Sequence, residues 1–238
     1  MNAEQLQRDL LQARAELEEF THTVSHDLRA SLRHVNAYVQ IIREDLDPQA
    51  QGDIFSHLDR VSQAALLMGQ QIDALVALSR LSRVELQSVP LDLTPLLHDV
   101  CRDLAPAFIG REVVWQFADD FPALRGDVAL IRQVLLALLD NALKFTRHRP
   151  VACISVVWTL VEDDRCCVTV ADNGAGFNAH YSDQLFHVFK RLHGAREFEG
   201  LGVGLALTRK IIERHGGRVF ASGEPDAGCQ VSFTLALA

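Results

Sequence analysis

No apolar run in the 238-residue sequence approaches the roughly 20 residues that span a bilayer. The start, Met1-Asn2-Ala3-Glu4-Gln5-Leu6, lacks the apolar core of a signal peptide. No direct membrane insertion is therefore expected, and any transmembrane sensing part is expected outside this sequence. There is no run of Lys or Arg and the formal net charge is −8, which argues against nucleic acid as a partner, because phosphate binding shows as a basic stripe. The five cysteines (Cys101, Cys153, Cys166, Cys167, Cys229) form no C-x-x-C pair. They read as reduced structural thiols in the cytoplasm, with adjacent Cys166 and Cys167 on opposite faces of one strand. Apart from His26, the histidines share no metal-ligand spacing. Internal repeats and low-complexity segments are absent too. What is present suffices for a core: hydrophobic residues are 48% and charged residues 23% of the chain.

Residues 1–19 read as a coiled-coil helix, since Leu6, Leu10, Ala13, Leu17, Phe20 and Val24 alternate in steps of four and three. A single amphipathic helix packed on its own core is the plainer alternative. Beyond Val24 the seam shifts by one residue to Leu28, Leu32, Val35, Val39, Ile42 and Leu46, with the break at Ser25-His26-Asp27. His26 is on neither seam, so it is expected to face solvent where packing changes. The Asp47 to Gly52 stretch, with Pro48, stops the helix. Ile54, Leu58, Val61, Ala65, Met68, Ile72 and Leu75 then form a second stripe, giving a helical hairpin with one apolar edge. Two such hairpins close a four-helix bundle, which predicts a homodimer.

After Glu85 the composition changes to alternating short strands and helices, an α/β pattern. Helices are expected over 93–107, 127–145 and 205–215, and strands over 112–117, 152–160, 166–171, 218–222 and 229–236. A long Gly-containing loop region between Gly174 and Gly204 suggests a functional lid.

Four constellations carry chemistry. In Ser25-His26-Asp27-Leu28-Arg29 a carboxylate beside an imidazole can hold one ring proton and leave the other nitrogen nucleophilic, though an exposed His-Asp pair is commonly just solvated. In Asp172-Asn173-Gly174-Ala175-Gly176 a carboxylate at a strand end precedes glycines; it can bind a base amino group, or simply close a turn. Gly200-Leu201-Gly202-Val203-Gly204-Leu205-Ala206 opens a helix whose free N–H groups can cradle phosphate; no strand immediately precedes it, unlike the dinucleotide-binding fingerprint. In Asp140-Asn141-Ala142-Leu143-Lys144-Phe145 an Asn oxygen suits Mg²⁺ and a Lys three residues on shares its helix face, although Asn-x-x-Lys alone means little.

These four, in their order along the chain and at these separations, resemble the histidine kinase family from about Phe20 to the C-terminus. Ser25 to Arg29 is similar to the H-box, the Asn141 segment to the N-box, Asp172 to Gly176 to the G1 box, Leu185-Phe186-His187-Val188-Phe189 to the F-box and Gly200 to Gly204 to the G2 box. The Phe189 to Gly194 stretch through Phe198-Glu199-Gly200 is similar to phytochrome-associated kinases. The resemblance implies an α plus α/β architecture: a dimerisation and phosphotransfer hairpin over 20–86, then an ATP-binding domain of the Bergerat fold over 87–238. It implies that His26 takes the γ-phosphoryl group of Mg-ATP and passes it to an Asp of a response-regulator receiver domain, with Asp27 orienting the ring. Asp172 is then expected at the adenine amino group, Asn141 at Mg²⁺ and Lys144 at phosphate. Gly174, Gly176, Arg191, Gly200, Gly202, Gly204 and Leu205 complete the implied ATP-binding set. An upstream sensor domain or protein is a further implied partner.

Three positions depart from the family pattern. Ser31 stands where Pro is usual, and Ala137 where a first N-box Asn is common. Ala137 slightly favours the alternative of a non-catalytic dimeric phosphotransfer scaffold with a degenerate nucleotide domain, against which the retained Asn141, Asp172 and glycines weigh; an ATPase driving conformational change is the third alternative. Ala30, on nearly the face of His26, replaces the Thr or Asn that places water in members that dephosphorylate their partners. A poor phosphatase is expected. The phosphorylated cognate regulator, incubated with this protein and ADP, should keep its label, and rapid loss would contradict the expectation.

Overall fold

A computed structural model describes residues 24–44, 46, 52–81, 84–161, 164–194 and 197–238. The coiled coil expected at residues 1–19 and most of the helix stop, residues 47–51, lie outside the described residues. The chain divides into two compact units between Val84 and Glu85.

In the first unit, helix α1 occupies residues 24–44 and α2 spans Gly52–Leu81. Arg29 Nε donates to Asp73 Oδ1 at 2.8 Å, and Arg43 pairs with Asp59 at 2.8 Å. The earlier arginine meets the later aspartate, so the two helices run antiparallel. Val39, Ala65, Ile72 and Val76 are buried, whereas Leu28, Val35 and Ile42 on α1 and Ile54, Val61, Met68 and Leu75 on α2 stay exposed. The apolar stripes are thus only partly covered within one chain. Ser31, where proline would remove an N–H, lies in uninterrupted helix, and its hydroxyl donates to the Asp27 carbonyl at 3.1 Å. By length and composition, Ile54–Leu81 is apolar enough to cross a membrane. That departs from the expectation of only short apolar runs: between Arg60 and Arg80 the helix carries one charged residue, Asp73, which pairs with Arg29 of α1.

The second unit runs β1 (Val89–Leu91), α3 (Leu93–Leu104), a 3-10 turn (Ala105–Phe108), β2 (Glu112–Phe117), β3 (Leu124–Gly126), α4 (Val128–Phe145), β4 (Val151–Val161) and β5 (Arg165–Asp172). A 3-10 segment (Ala179–Phe186), α5 (Gly204–Arg214), β6 (Val219–Glu224) and β7 (Gly228–Ala236) complete it. The main sheet has the order β2-β4-β5-β7-β6; β2 lies parallel to β4 and the other neighbours are antiparallel. β1 and β3 form a separate antiparallel ribbon. These two strands, three residues each, carry too short a pattern to be read from sequence. The helix expected to reach Ala107 ends at Leu104, where Pro106 tightens the chain into the 3-10 turn.

α4 is the organising helix. Leu130, Ile131, Val134, Leu135, Leu138, Leu139, Ala142 and Leu143 are buried, a stripe two residues wide at each turn. Asp127 caps its start: Oδ1 accepts from Ala129 N (3.1 Å) and Leu130 N (3.2 Å), and Oδ2 accepts from Gln87 N (3.2 Å). The Asp127 N–H donates to His215 Nε2 at 2.9 Å, while His215 Nδ1 donates to the Ile211 carbonyl at 2.8 Å, so one neutral imidazole ties the end of α5 to the start of α4. Inner-face residues of the sheet, among them Ile154, Val156, Val168, Phe233 and Leu235, close the core. Trp115 and Trp158 are only half-buried, Trp115 on the edge strand against Phe108 and Phe117 and Trp158 toward the far end of β4.

Because Asp127 satisfies three backbone donors, Asp127→Ala should destabilise the second unit by about 1–2 kcal/mol. Urea denaturation followed by circular dichroism would measure it.

Candidate functional site

A cavity of about 330 Å³ opens between the C-terminal half of α4, the ends of β5 and β7, and the segment from Phe177 to Leu205. That volume lies within the range of small-molecule sites. Asn141 and Lys144 face it from the last turns of α4, and Asp172 lines it from the end of β5. Lys144 Nζ donates to Asn141 Oδ1 at 2.8 Å, so a cation already rests against the amide oxygen. Burial lowers the Lys144 pKa, partly offset by the charge of Asp140.

The Asp172 carboxylate ends an apolar strand. Its Oδ1 accepts the Gly174 N–H at 2.8 Å, and the Cys229 N–H also reaches it. Burial nevertheless pushes its pKa up to about 6, because the two N–H groups and the nearby Arg149 offset only part of the desolvation. The carboxylate keeps acceptor capacity toward the cavity, where a ligand amino group can complete it. Asn173 fixes the turn by accepting from Cys153 N (2.9 Å) and donating to Val151 O (3.0 Å). Gly176 has φ +60, and a Cβ there would collide with the Glu224 carbonyl, so only glycine fits between this turn and the β6–β7 hairpin. This glycine therefore serves a close approach of the protein's own backbone.

The segment after Phe186 folds over the cavity. Phe189 N donates to Gly202 O at 2.8 Å, and Gly202 sits at φ +69 with a Cβ position 2.7 Å from the Lys190 carbonyl. Gly200 and Gly204 line the cavity with Leu205, and Gly204 opens α5 beside Ala137 and Asn141. Arg191 also lines it, and its guanidinium donates to the Phe198 carbonyl. Phe198 is 2% exposed although Glu197, Glu199 and Gly200 around it are exposed. Its ring meets Phe145 (centroids 4.9 Å), His193 (5.2 Å) and His148 (5.6 Å), with the Arg147 guanidinium 4.8 Å from its centroid. His193 Nε2 donates to the Gly176 carbonyl at 2.8 Å, joining the covering segment to the Asp172 turn.

His26 and Asp27 lie on α1 in the other unit. Both side chains are largely exposed, 68% and 74%, with His26 Nδ1 3.2 Å from Asp27 Oδ1. A proton on Nδ1 leaves the Nε2 lone pair free. The second unit thus brings together Asn141, Lys144, Asp172, Gly176, Arg191, Gly200, Gly202, Gly204 and Leu205 around one cavity. Gly174 does not line it; it donates to Asp172 and packs against the Phe145 carbonyl. Arg147 and Arg149 were not picked out from sequence, and Phe198 was named only within the stretch similar to phytochrome-associated kinases, with no role in the site. An aromatic residue inside an otherwise polar loop was a usable signal for Phe198, whereas nothing local marked the arginines.

Residues 126–238 match the family model of the histidine kinase-, DNA gyrase B-, and HSP90-like ATPases. The chain is 33% identical over 221 residues to the methanogenesis regulatory histidine kinase FilI of Methanothrix harundinacea, covering 93% of this chain and 25% of that protein. It is 31% identical over 235 residues to cyanobacterial phytochrome A of Nostoc sp., covering 97% and 30%. The chain therefore spans 30% or less of these two curated relatives. The crystal structure of full-length ShkA in complex with AMPPNP shares the fold, with a TM-score of 0.64 at 24% identity over 92% of this chain and 46% of that one.

If Phe198 fastens the covering segment to α4, Phe198→Ala should speed amide hydrogen exchange over residues 197–204 and leave β5 and β7 unchanged. Exchange read by mass spectrometry tests this.

Proposed function

The chain belongs to the sensor histidine kinase family, and from that premise we propose that it binds Mg-ATP in the cavity, phosphorylates its own His26 and passes the phosphoryl group to an Asp of a response-regulator receiver domain. The observation that carries the proposal is the convergence of Asp172, Asn141 and Lys144 on one cavity in a chain that also presents an exposed His26–Asp27 pair. Asp172 accepts a hydrogen bond from the amino group of adenine at the end of β5. Lys144 and Arg191 neutralise phosphate charge, and N–H groups at the start of α5 add to them.

The residues present fit Mg²⁺. Asn141 Oδ1 is already in contact with a cation, the Lys144 ammonium, and Mg²⁺ typically takes few protein oxygens while phosphates and water fill the rest. Among the described residues no cluster of His, Cys, Asp and Glu could hold a metal without such help. When bound, Mg²⁺ withdraws charge from the phosphates. In the transfer, Nε2 of His26 forms a bond to the γ-phosphorus as the bond to the β-phosphate oxygen breaks, ADP leaves, and Asp27 holds the Nδ1 proton. The receiver carboxylate then takes the phosphoryl group from Nε2, restoring the imidazole. Positioning and charge neutralisation supply most of the acceleration.

We further assign residues 20–86 to dimerisation and phosphotransfer and 87–238 to ATP binding. The exposed stripe of Leu28, Val35, Ile42, Val61, Met68 and Leu75 supports a homodimer in which a second hairpin covers it. A cytoplasmic location accords with five free thiols.

Incubation with γ-labelled ATP and Mg²⁺ should give an acid-labile, base-stable label. His26→Gln should abolish the label and retain ATP binding, whereas Asp172→Asn should lose binding; equal loss of nucleotide affinity in both would contradict the division of labour. ATP bound tightly with no label transferred would favour a phosphotransfer scaffold.

A further inference from the structure

Arg149 lies in the short connection between α4 and β4. Its backbone N–H donates to the carbonyl of Thr146, the C-cap of α4, at 2.9 Å, and Pro150 then leads into β4. Its guanidinium, two-thirds covered, makes no close carboxylate contact among the described residues; Asp226 Oδ1 is 4.0 Å away. Instead it binds three backbone carbonyls. Nε donates to Asn173 O at 2.7 Å, and Nη2 donates to Gly174 O at 2.9 Å and Asp226 O at 2.5 Å. The first two acceptors belong to the turn after Asp172, and the third to the turn between β6 and β7.

Those two turns are otherwise joined by Asp226 N donating to Ala175 O at 2.7 Å and by the close seat of Gly176 against Glu224. The first turn also reaches α4, because Ala175 N donates to the Phe145 carbonyl at 3.1 Å. A planar fork with fixed N–H directions can span carbonyls on separate loops, which a single ammonium point cannot do equally well. We propose that Arg149 is a positioning residue for nucleotide binding: by clamping the Asp172 turn to the β6–β7 turn at the end of α4, it holds the Asp172 carboxylate in the register that meets the base. This rests on the nucleotide reading of the cavity given above.

A clamp made only for stability would leave the Asp172 carboxylate electrostatically untouched, but Arg149 is also the nearby cation that favours its ionised form. Other charged or titratable groups around the cavity are Cys229 on β7 and Asp140 and Lys144 on α4. The covering segment adds Lys190, Arg191, His193 and Glu199. Since the ionised carboxylate is the form that accepts an amino group, affinity should be full above the Asp172 pKa, about 6. It should fall toward about tenfold per pH unit below it. Loss of a neighbouring cation raises that midpoint.

The test uses the full chain, its Arg149→Met and Arg149→Lys variants, equilibrium ATP titration between pH 5 and 8, and hydrogen exchange at residues 173–176. Arg149→Met should weaken ATP binding by about tenfold at pH 8 and move the pH midpoint upward. Arg149→Lys, which keeps the charge and loses the fork, should weaken binding by about threefold or more with the midpoint near that of the parent protein. Both should exchange faster at 173–176. Affinity, midpoint and exchange all matching the parent would overturn the proposal, and if Arg149→Met fails to fold, Arg149→Lys decides by affinity and exchange. A parent protein that binds no ATP at any pH would instead remove the nucleotide reading, and the exchange data would still decide whether Arg149 holds the turn.

Discussion

A carboxylate at the end of a buried strand is the constraint around which the second unit is arranged. Asp172 stands where desolvation disfavours its charge, and the protein answers with donors that need no side chain: the N–H groups of Gly174 and Cys229. Those donors exist only because the chain turns tightly at Gly174 and because β7 runs antiparallel beside β5 with Cys229 opposite Asp172. The β6–β7 turn must then pass close enough that Gly176 tolerates no side chain. A site of this kind is pre-organised by backbone packing, so a ligand amino group meets a carboxylate already in place.

α4 connects that end of the cavity to the other. Its N-terminus is fixed by Asp127 and His215, its middle by a continuous apolar stripe, and its C-terminus by Thr146, whose hydroxyl donates to the Ala142 carbonyl at 2.7 Å. The polar residues Asn141 and Lys144 therefore sit on a rigid element. The same C-terminal turn offers Phe145 and Arg147 to Phe198, so the covering segment is attached to the helix whose side chains it encloses. Glu199 approaches Arg147 at 3.7 Å from the segment's exposed side, a contact of small energetic weight beside the buried ring.

The helical unit follows a different logic. Its charged pairs, Arg29 with Asp73 and Arg43 with Asp59, lie across the antiparallel helices at either end of their overlap. Its apolar residues divide into those covered within one hairpin, such as Ala65 and Ile72, and those left outward, such as Val35 and Met68. His26 takes neither role. Its ring is largely exposed on α1, where an imidazole nitrogen can reach a partner without first breaking a packed contact.

The sequence alone determined the helical hairpin, the exposed place of His26, the mixed α/β character of the second unit and nine of the residues that line the cavity. It could do so because helix stripes, strand alternation and glycine spacing are local signals. The three-residue strands β1 and β3 carried too little pattern, and the half-buried Trp115 and Trp158 depended on which strand formed an edge. Tertiary structure alone decided the three-carbonyl grip of Arg149, the enclosure of Phe198 and the backbone seat of Gly176. Each depends on groups far apart in the chain, Arg149 with Asp226 and Gly176 with Glu224, and such meetings are settled by the order of strands in the sheet and the path of the turns between them.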